Sequence, residues 1–399
     1  MKAGKQMKPL DIMEDCYRHR DLAARKWKKA GGKVVGYLCV DVPEELIMAA
    51  GFFPLRLSGE PWAGTAQADK YTAPVYEGFI RSIFQMLLTG AYDFLDFLVI
   101  PHSRDAIEAL HSILSTVKHI EPTGKIPELF LFDTPHTKFW RSSRYLHERV
   151  KEFKVRLDDW SGREITERSI SEAIKTCNEN RRILKQIEAL RIADPPRVSG
   201  VEALQLIGSS MFMLKEEHSN LLGQFIDGAG HLPPKEGMRL FVEASPLDNV
   251  QLYEILEASG GVVVAEDNCW GNRNFDTLVD ESLDPLEGLV TRYQKRSPCP
   301  RMYPLKARVD YCVRSAKEAR AQGVVFSILE WDYAQTWEYP DEENAFKAEG
   351  IPAITFKKQK YLIPEADKEE IKARMERFVE TVARSLSICS PLKEGEKSR

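Results

Sequence analysis

Short, wholly apolar runs alternate with amphipathic stretches along most of the chain, and this alternation constrains the fold more than any other feature. KVVGYLCV, FFPLRL, DFLVIP and ELFLFD each carry a few consecutive apolar residues. Runs this short and this uniform suit strands buried on both faces, as in parallel sheets. Between them lie PEELIMAAG, FIRSIFQMLLTGA and DAIEALHSIL, whose apolar residues recur at helical spacing. Pro43 suits a first helical position and Gly51 a helix stop. The pattern returns towards the C-terminus. MRLFVEA, GVVVAED, GVVFSIL and PAITF read as strands, and NVQLYEILEASG, ARVDYCVRSAKEARAQG and the stretch after Pro364 as helices.

The middle of the chain differs. From about Phe139 to Ile226 no run reads as a strand, whereas SISEAIKTCNENRRILKQIEAL, VEALQLIGSSMFML and EEHSNLLGQFIDG have helical spacing. The expected class is therefore α/β, with two Rossmann-like lobes built on short parallel sheets and a helical segment between them. The expected boundaries are 1–138 for the N-terminal lobe, which opens with a helix from about Ile12 to Lys29, then 139–230 for the helices and 231–399 for the C-terminal lobe. GHLPPKEG reads as a linker, and PLKEGEKSR as a frayed polar tail.

Composition narrows the function classes. The 399 residues carry a formal charge of −4, and no basic stripe with interleaved aromatics appears, so no nucleic-acid partner is expected. No run of about 18 apolar residues exists to span a membrane, and the N-terminus lacks the apolar core of a signal peptide. The seven cysteines are odd in number and form no C-x-x-C, which points to a reducing cytoplasm and unpaired thiols.

Ligands of open parallel sheets bind outside the carboxyl ends of the strands. That rule collects Cys39, Asp41 and Glu44–Glu45 after the first strand, and His102, Ser103, Arg104 and Asp105 after DFLVIP. It adds Asp133, Glu243, Glu266, Asp267, Cys269, Arg273, Glu330 and Asp332. Most have plainer readings. Glu44 and Glu45 fall in a first helical turn, where the macrodipole favours carboxylates. Cys39 suits a small buried hydrophobe, and His218 a satisfied helix residue. His102 has no partner that spacing can name, and G-x-G-x-x-G is absent. Arg104 is the anomaly: a cation stands where a helix begins, although helix N-termini favour anions, so an anionic partner is expected.

Longer stretches carry a resemblance. GYLCVDVPEELIMAAGFFPLRL, FIRSIFQMLLTGAYDFLDFLVIPHSRDAIEAL, SGREITERSISEAIKTCNENRRILKQIEALR, VVVAEDNCWGNRNF and GVVFSILEWDYAQTWEYP follow in the order of the 2-hydroxyacyl-CoA dehydratase and benzoyl-CoA reductase family. The chain resembles that family over about residues 12–388. The resemblance implies a [4Fe–4S] cluster held by three cysteines in the cleft, a paired subunit and an ATP-dependent protein that delivers electrons. Carried onto this chain, the three ligand positions are Glu77, Arg104 and Asp332, with Trp331 the alternative for the last. None is cysteine.

The resemblance therefore implies a subunit without its own cluster, inactive alone, that supports a cluster-bearing paralogue or binds an acyl-CoA. The alternatives are a stand-alone acyl-CoA binder, or an active cluster-bearing subunit with unusual ligands such as Cys39 and Cys269. Those are two thiolates, fewer than clusters usually take. Glu77 and Asp332 as oxygen ligands would suit magnesium or manganese, but the Arg104 cation opposes this, and no metal is expected. Cys39, Glu44, His102, Ser103, Asp267, Cys269 and Arg273 remain candidates for the cleft wall or a substrate.

Overall fold

The computed structural model describes residues 7–121 and 126–389, with side chains described as far as residue 385. The polar tail from Pro391 and the Cys389 side chain lie outside the described residues. Two helices, α1 (Pro9–Arg18) and α2 (Leu22–Lys29), lead into β1 (Val34–Tyr37), α3 (Glu44–Ala49), β2 (Phe53–Arg56) and α4 (Gly78–Thr89). Then follow β3 (Phe97–Pro101), α5 (Asp105–Ile120) and β4 (Glu128–Phe132). Four helices come next: α6 (Trp140–Ser161), α7 (Glu167–Ile192), α8 (Gly200–Gly208) and α9 (Lys215–Asp227). The second α/β part comprises β5 (Met238–Ala244), α10 (Gln251–Ala258), β6 (Gly261–Asp267), α11 (Pro285–Lys295) and α12 (Leu305–Glu318). It ends with β7 (Gly323–Leu329), α13 (Tyr333–Ala348), β8 (Ala353–Gln359) and α14 (Glu365–Cys389).

The strands form two four-stranded sheets in the orders β2-β1-β3-β4 and β6-β5-β7-β8, and every pairing within them is parallel. Parallel pairing follows from the crossovers, which hide both faces. Val34, Val35, Leu98 and Val99 are buried on one sheet, as are Leu240, Phe241, Val324 and Val325 on the other. In each sheet the chain moves first to one side of its starting strand and then to the other. That reversal opens a crevice at the carboxyl ends of β1 and β3, and again at β5 and β7.

The lobes do not pack as separate bodies. One buried apolar cluster takes Leu98, Ile100 and Phe84 from the first and Leu240, Val242 and Val325 from the second. The helix α7 ties to both. Its Arg181 reaches Glu45 at 2.6 Å, and its Arg191 donates to Glu266. At Gly78 a β-carbon would sit 2.8 Å from the Tyr361 Cβ, so glycine lets the N-terminus of α4 close against the opposite lobe.

One expected element differs, and two helices were not expected. The leading helix is broken at His19–Asp21 because Arg20 turns back, its Nε donating to the Tyr17 carbonyl at 3.0 Å and its guanidinium reaching Asp248 of the second lobe. α11 lies in a stretch whose helical spacing the sequence hides, although Pro285 and the Asp284 cap mark its start. α13 carries Pro340 in its interior, and proline there reads as a breaker.

Candidate functional site

Three helix N-termini meet in the crevice between the lobes. Glu77, Arg104 and Asp332 stand at the N-cap positions of α4, α5 and α13, and of the three only the Asp332 side chain accepts a helix N–H, that of Gln335. Arg104 Nη1 donates to Glu77 Oε1 at 2.9 Å and to Asp332 Oδ2 at 3.1 Å. The three side chains are 9%, 5% and 1% exposed, so the ion pairs are dry and the two lobes are joined by charge. This is the partner that a cation at a helix start requires: two carboxylates, themselves stabilised by the N-termini of their own helices.

The two carboxylates are not equivalent. Burial alone would raise the Asp332 carboxyl, but Arg104, the Ser245 hydroxyl at 2.7 Å and the Gln335 backbone N–H at 3.2 Å hold it below the ordinary range. Burial pushes the Glu77 carboxyl up, and Arg104 offsets this only in part. The proton therefore favours Glu77 over Asp332.

The other candidates divide around this triad. Ser103, Cys39, Cys269 and Arg273 line a cavity beside it, together with Arg56 and Cys299. Asp267 is fully buried behind Arg273, which grips it through Nε at 2.6 Å and through Nη2. His102 is not among the residues lining that cavity. It lies between Asp133 at 2.9 Å and Glu108 at 3.0 Å, so both ring nitrogens are engaged by carboxylates. Glu44 does not line the cavity either. It receives Tyr37 Oη at 3.2 Å and faces Lys215 at 3.1 Å, while Glu45 takes Arg181 and the Tyr293 hydroxyl. The Glu44–Glu45 pair thus joins α3 to the middle helices by ion pairs, beyond any macrodipole effect. His218 is a satisfied core residue. Its Nε2–H donates to the Leu206 carbonyl at 2.9 Å, Asn180 meets Nδ1, and burial carries its pKa down to about 3.

Sequence reasoning missed Arg308, Arg56 and Cys299. Arg308, fully buried on α12, meets Asp267, Glu243, Glu342 and Glu338. Its helix showed only amphipathic spacing, and nothing in that spacing marks an inward arginine. Arg56 closes an otherwise apolar strand, FFPLRL, and the charge at its carboxyl end was the available signal.

An iron–sulfur cluster needs thiolate ligands and room. The triad offers neither sulfur nor space, because its guanidinium occupies the convergence of the three helices. The neighbouring cavity is about 30 Å3, the room of roughly one water molecule. Two of its three thiols are engaged by cations: Arg56 Nη2 meets Cys269 Sγ at 3.0 Å and Arg273 Nη1 meets Cys299 Sγ at 3.2 Å. The residues of the crevice do not fit a cluster of four irons and four sulfides.

Two parallel-sheet lobes that share a polar crevice at their strand ends define the class. A sequence model of the 2-hydroxyglutaryl-CoA dehydratase D-component family matches residues 39–382, and the chain belongs to that family. It is similar to the (R)-phenyllactyl-CoA dehydratase beta subunit of Clostridium sporogenes, 27% identical over 354 residues, covering 86% of this chain and 90% of that one. It is also similar to a benzoyl-CoA reductase subunit of Thauera aromatica, 26% identical over 371 residues and 88% and 93% of the two chains. The beta subunit of (R)-2-hydroxyglutaryl-CoA dehydratase from Acidaminococcus fermentans is 24% identical over 336 residues, 82% and 88% of the two chains.

Proposed function

We propose that this chain is a cluster-free subunit of a 2-hydroxyacyl-CoA dehydratase or benzoyl-CoA reductase-type complex, working in the cytoplasm beside a cluster-bearing paralogue. One observation carries the reading. Where the family resemblance puts three cysteine ligands, this chain has Glu77, Arg104 and Asp332, and they satisfy one another as a buried ion-pair triad. A vacated site left to drift would hold exposed, unpaired side chains. Here one guanidinium is shared by two carboxylates in a dry setting, which is the arrangement expected where a positively biased meeting of helix ends is kept without a cluster. The relatives are named as subunits of such complexes, which supports a partner of the same family. Dehydration or ring reduction of a CoA thioester passes through one-electron chemistry. The described residues of this crevice supply no low-potential one-electron donor, so turnover belongs to the complex and to the partner's cofactor, with electrons brought by an activating protein. The chain's own part is to hold the crevice closed and to present its surface to the partner.

The test is iron and acid-labile sulfide on the chain purified without oxygen, alone and co-expressed with a cluster-bearing paralogue. The expected result is no iron in the isolated chain and a stable complex with iron in the paralogue only. About four irons per isolated chain would overturn the reading.

A second reading, an acyl-CoA binder, is favoured by one further cavity. It measures about 580 Å3, within the range of small-molecule sites, and Arg18, His19, Arg20 and Trp62 lie along it. Calorimetric titration with a CoA thioester in the absence of any paralogue separates the two: heat of binding to the isolated chain favours this second reading.

A further inference from the structure

The small cavity beside the triad contains a second arrangement that the family reading does not use. Arg56 is 3% exposed. Its Nη2 donates to Cys269 Sγ at 3.0 Å and its Nη1 to the Cys269 carbonyl at 2.5 Å. Its guanidinium lies 3.8 Å from the centre of the Trp270 ring, and Met211 Sδ stands 3.3 Å from Nη1. Among the described residues no carboxylate is hydrogen-bonded or ion-paired to Arg56. Arg104 and Arg273, on the same cavity, each have carboxylate partners. A buried guanidinium is stabilised by an anion beside it, and among the described residues the ionisable side chain hydrogen-bonded to Arg56 is Cys269. That contact favours the thiolate form of Cys269.

Cys39 comes from the other lobe and lines the same small cavity as Cys269. The residue has φ 59, a left-handed conformation that side chains rarely adopt and that persists where surroundings hold it. The loop after β1 thus keeps this thiol in the crevice against a local strain. Ser103 lines the same cavity, and its Oγ is buried without a hydrogen-bond partner. A polar atom waits there for a small polar guest.

We propose that Cys269 and Cys39 are a peroxide-reactive thiol pair that closes to a disulfide between the lobes. The Cys269 thiolate attacks one oxygen of hydrogen peroxide. The O–O bond breaks, a sulfenic acid forms on Cys269, and hydroxide leaves to take up a proton as water. The Cys39 sulfur then attacks Cys269 Sγ, the S–O bond breaks, and the departing hydroxide takes the Cys39 proton. Two thiols are oxidised by two electrons, and one peroxide becomes two waters.

The surroundings select this chemistry over others. Three guanidiniums, Arg56, Arg104 and Arg273, line the cavity, which favours a thiolate and repels a metal cation. A space of about 30 Å3 admits a molecule near the size of water and excludes a bulky disulfide or CoA. The neighbouring Cys39 thiol, helped by Arg56 and Arg273, brings the Cys269 thiol down to about 6 against the effect of burial. Burial instead holds Cys16 up at about 12, and raises Cys177 and Cys312. The pair needs no partner subunit to react. In a reducing compartment such a disulfide is transient, and while it lasts it pins the loop after β1 to the loop after β6.

The test is disulfide mapping by mass spectrometry on the reduced full chain before and after a small excess of hydrogen peroxide. Two thiols should be lost per chain, with Cys39 and Cys269 linked, and dithiothreitol should restore both. Cys39→Ser should stop at a Cys269 sulfenic acid that dimedone traps. Arg56→Gln should slow oxidation at pH 7 by about tenfold or more, because the thiolate loses its counter-charge. Retention of all thiols, a cross-link through another cysteine, or no dimedone adduct in Cys39→Ser would each overturn the pair. The first two are read on the unaltered chain and stand whether or not the Arg56 variant folds.

Discussion

Arg104 directs a single nitrogen at two carboxylates, while Asp332 accepts from Arg104, Ser245 and the Gln335 backbone. Removing the arginine leaves two buried carboxylates without their cation. Arg104→Ala should therefore destabilise the fold by about 3–5 kcal/mol, read as a shift in the urea midpoint; an unchanged midpoint would mean that the triad holds nothing together. The carboxylates also give an acid dependence with a definite sign. Asp332 has a depressed folded-state pKa, so its contribution is present above the unfolded value of about 3.9 and disappears as pH falls through the lower folded value. Glu77, raised by burial, acts oppositely: its contribution is present below the unfolded value of about 4.3 and is lost as pH rises through the folded value. Urea midpoints of the wild-type chain and of Asp332→Asn should therefore draw together as pH drops from 7 towards 3. A constant gap would show that Asp332 is not ionised in the folded protein.

Helix caps and breaks make the elements legible to different degrees. Ser199 and Glu202 form a reciprocal capping box at the start of α8, with the Ser199 hydroxyl taking the Glu202 N–H at 3.2 Å and the Glu202 carboxylate taking the Ser199 N–H at 2.8 Å. Ser199→Ala should cost about 1 kcal/mol, measured by equilibrium unfolding; no loss would mean that water replaces the cap. The strands and most α/β helices were readable because apolar spacing is a local property. The break between α1 and α2 was not, because it depends on Arg20 reaching Asp248, more than two hundred positions away in sequence. α13 was hidden by Pro340 and by a surface that leaves Trp337 79% exposed, so that neither breaker rules nor apolar spacing marks it.

At the scale of the molecule, the lobes share one apolar cluster and several charged bridges. Arg104–Asp332, Arg296–Asp41 and Arg301–Asp105 all cross between them. Lobes joined through a common core should unfold together, so scanning calorimetry should give one transition rather than two; two separable peaks would refute this coupling. Arg308 is the largest single risk to that unit. It is fully buried and neutralises charge from Glu243, Asp267, Glu338 and Glu342. Arg308→Met leaves those carboxylates with Arg273 alone, and its loss should exceed that of Arg104→Ala in the same urea assay. An equal or smaller loss would show that the acids hold protons that already relieve the charge.

The sequence by itself determined the two-lobed α/β class, the strand ends where chemistry would lie, and the anomaly of a cation at Arg104. Those follow from apolar spacing and from the dipole of a helix start, which a chain carries locally. Only the tertiary structure decided that Glu77, Arg104 and Asp332 share one nitrogen's hydrogen bonds, that His102 and Glu44 do not line the cavity beside them, and that Arg56 is left with a sulfur for its anion. Each of these depends on how two sheets, far apart in sequence, bring their carboxyl ends together. Side-chain pairing across that crevice is set by packing geometry, and no local pattern encodes it.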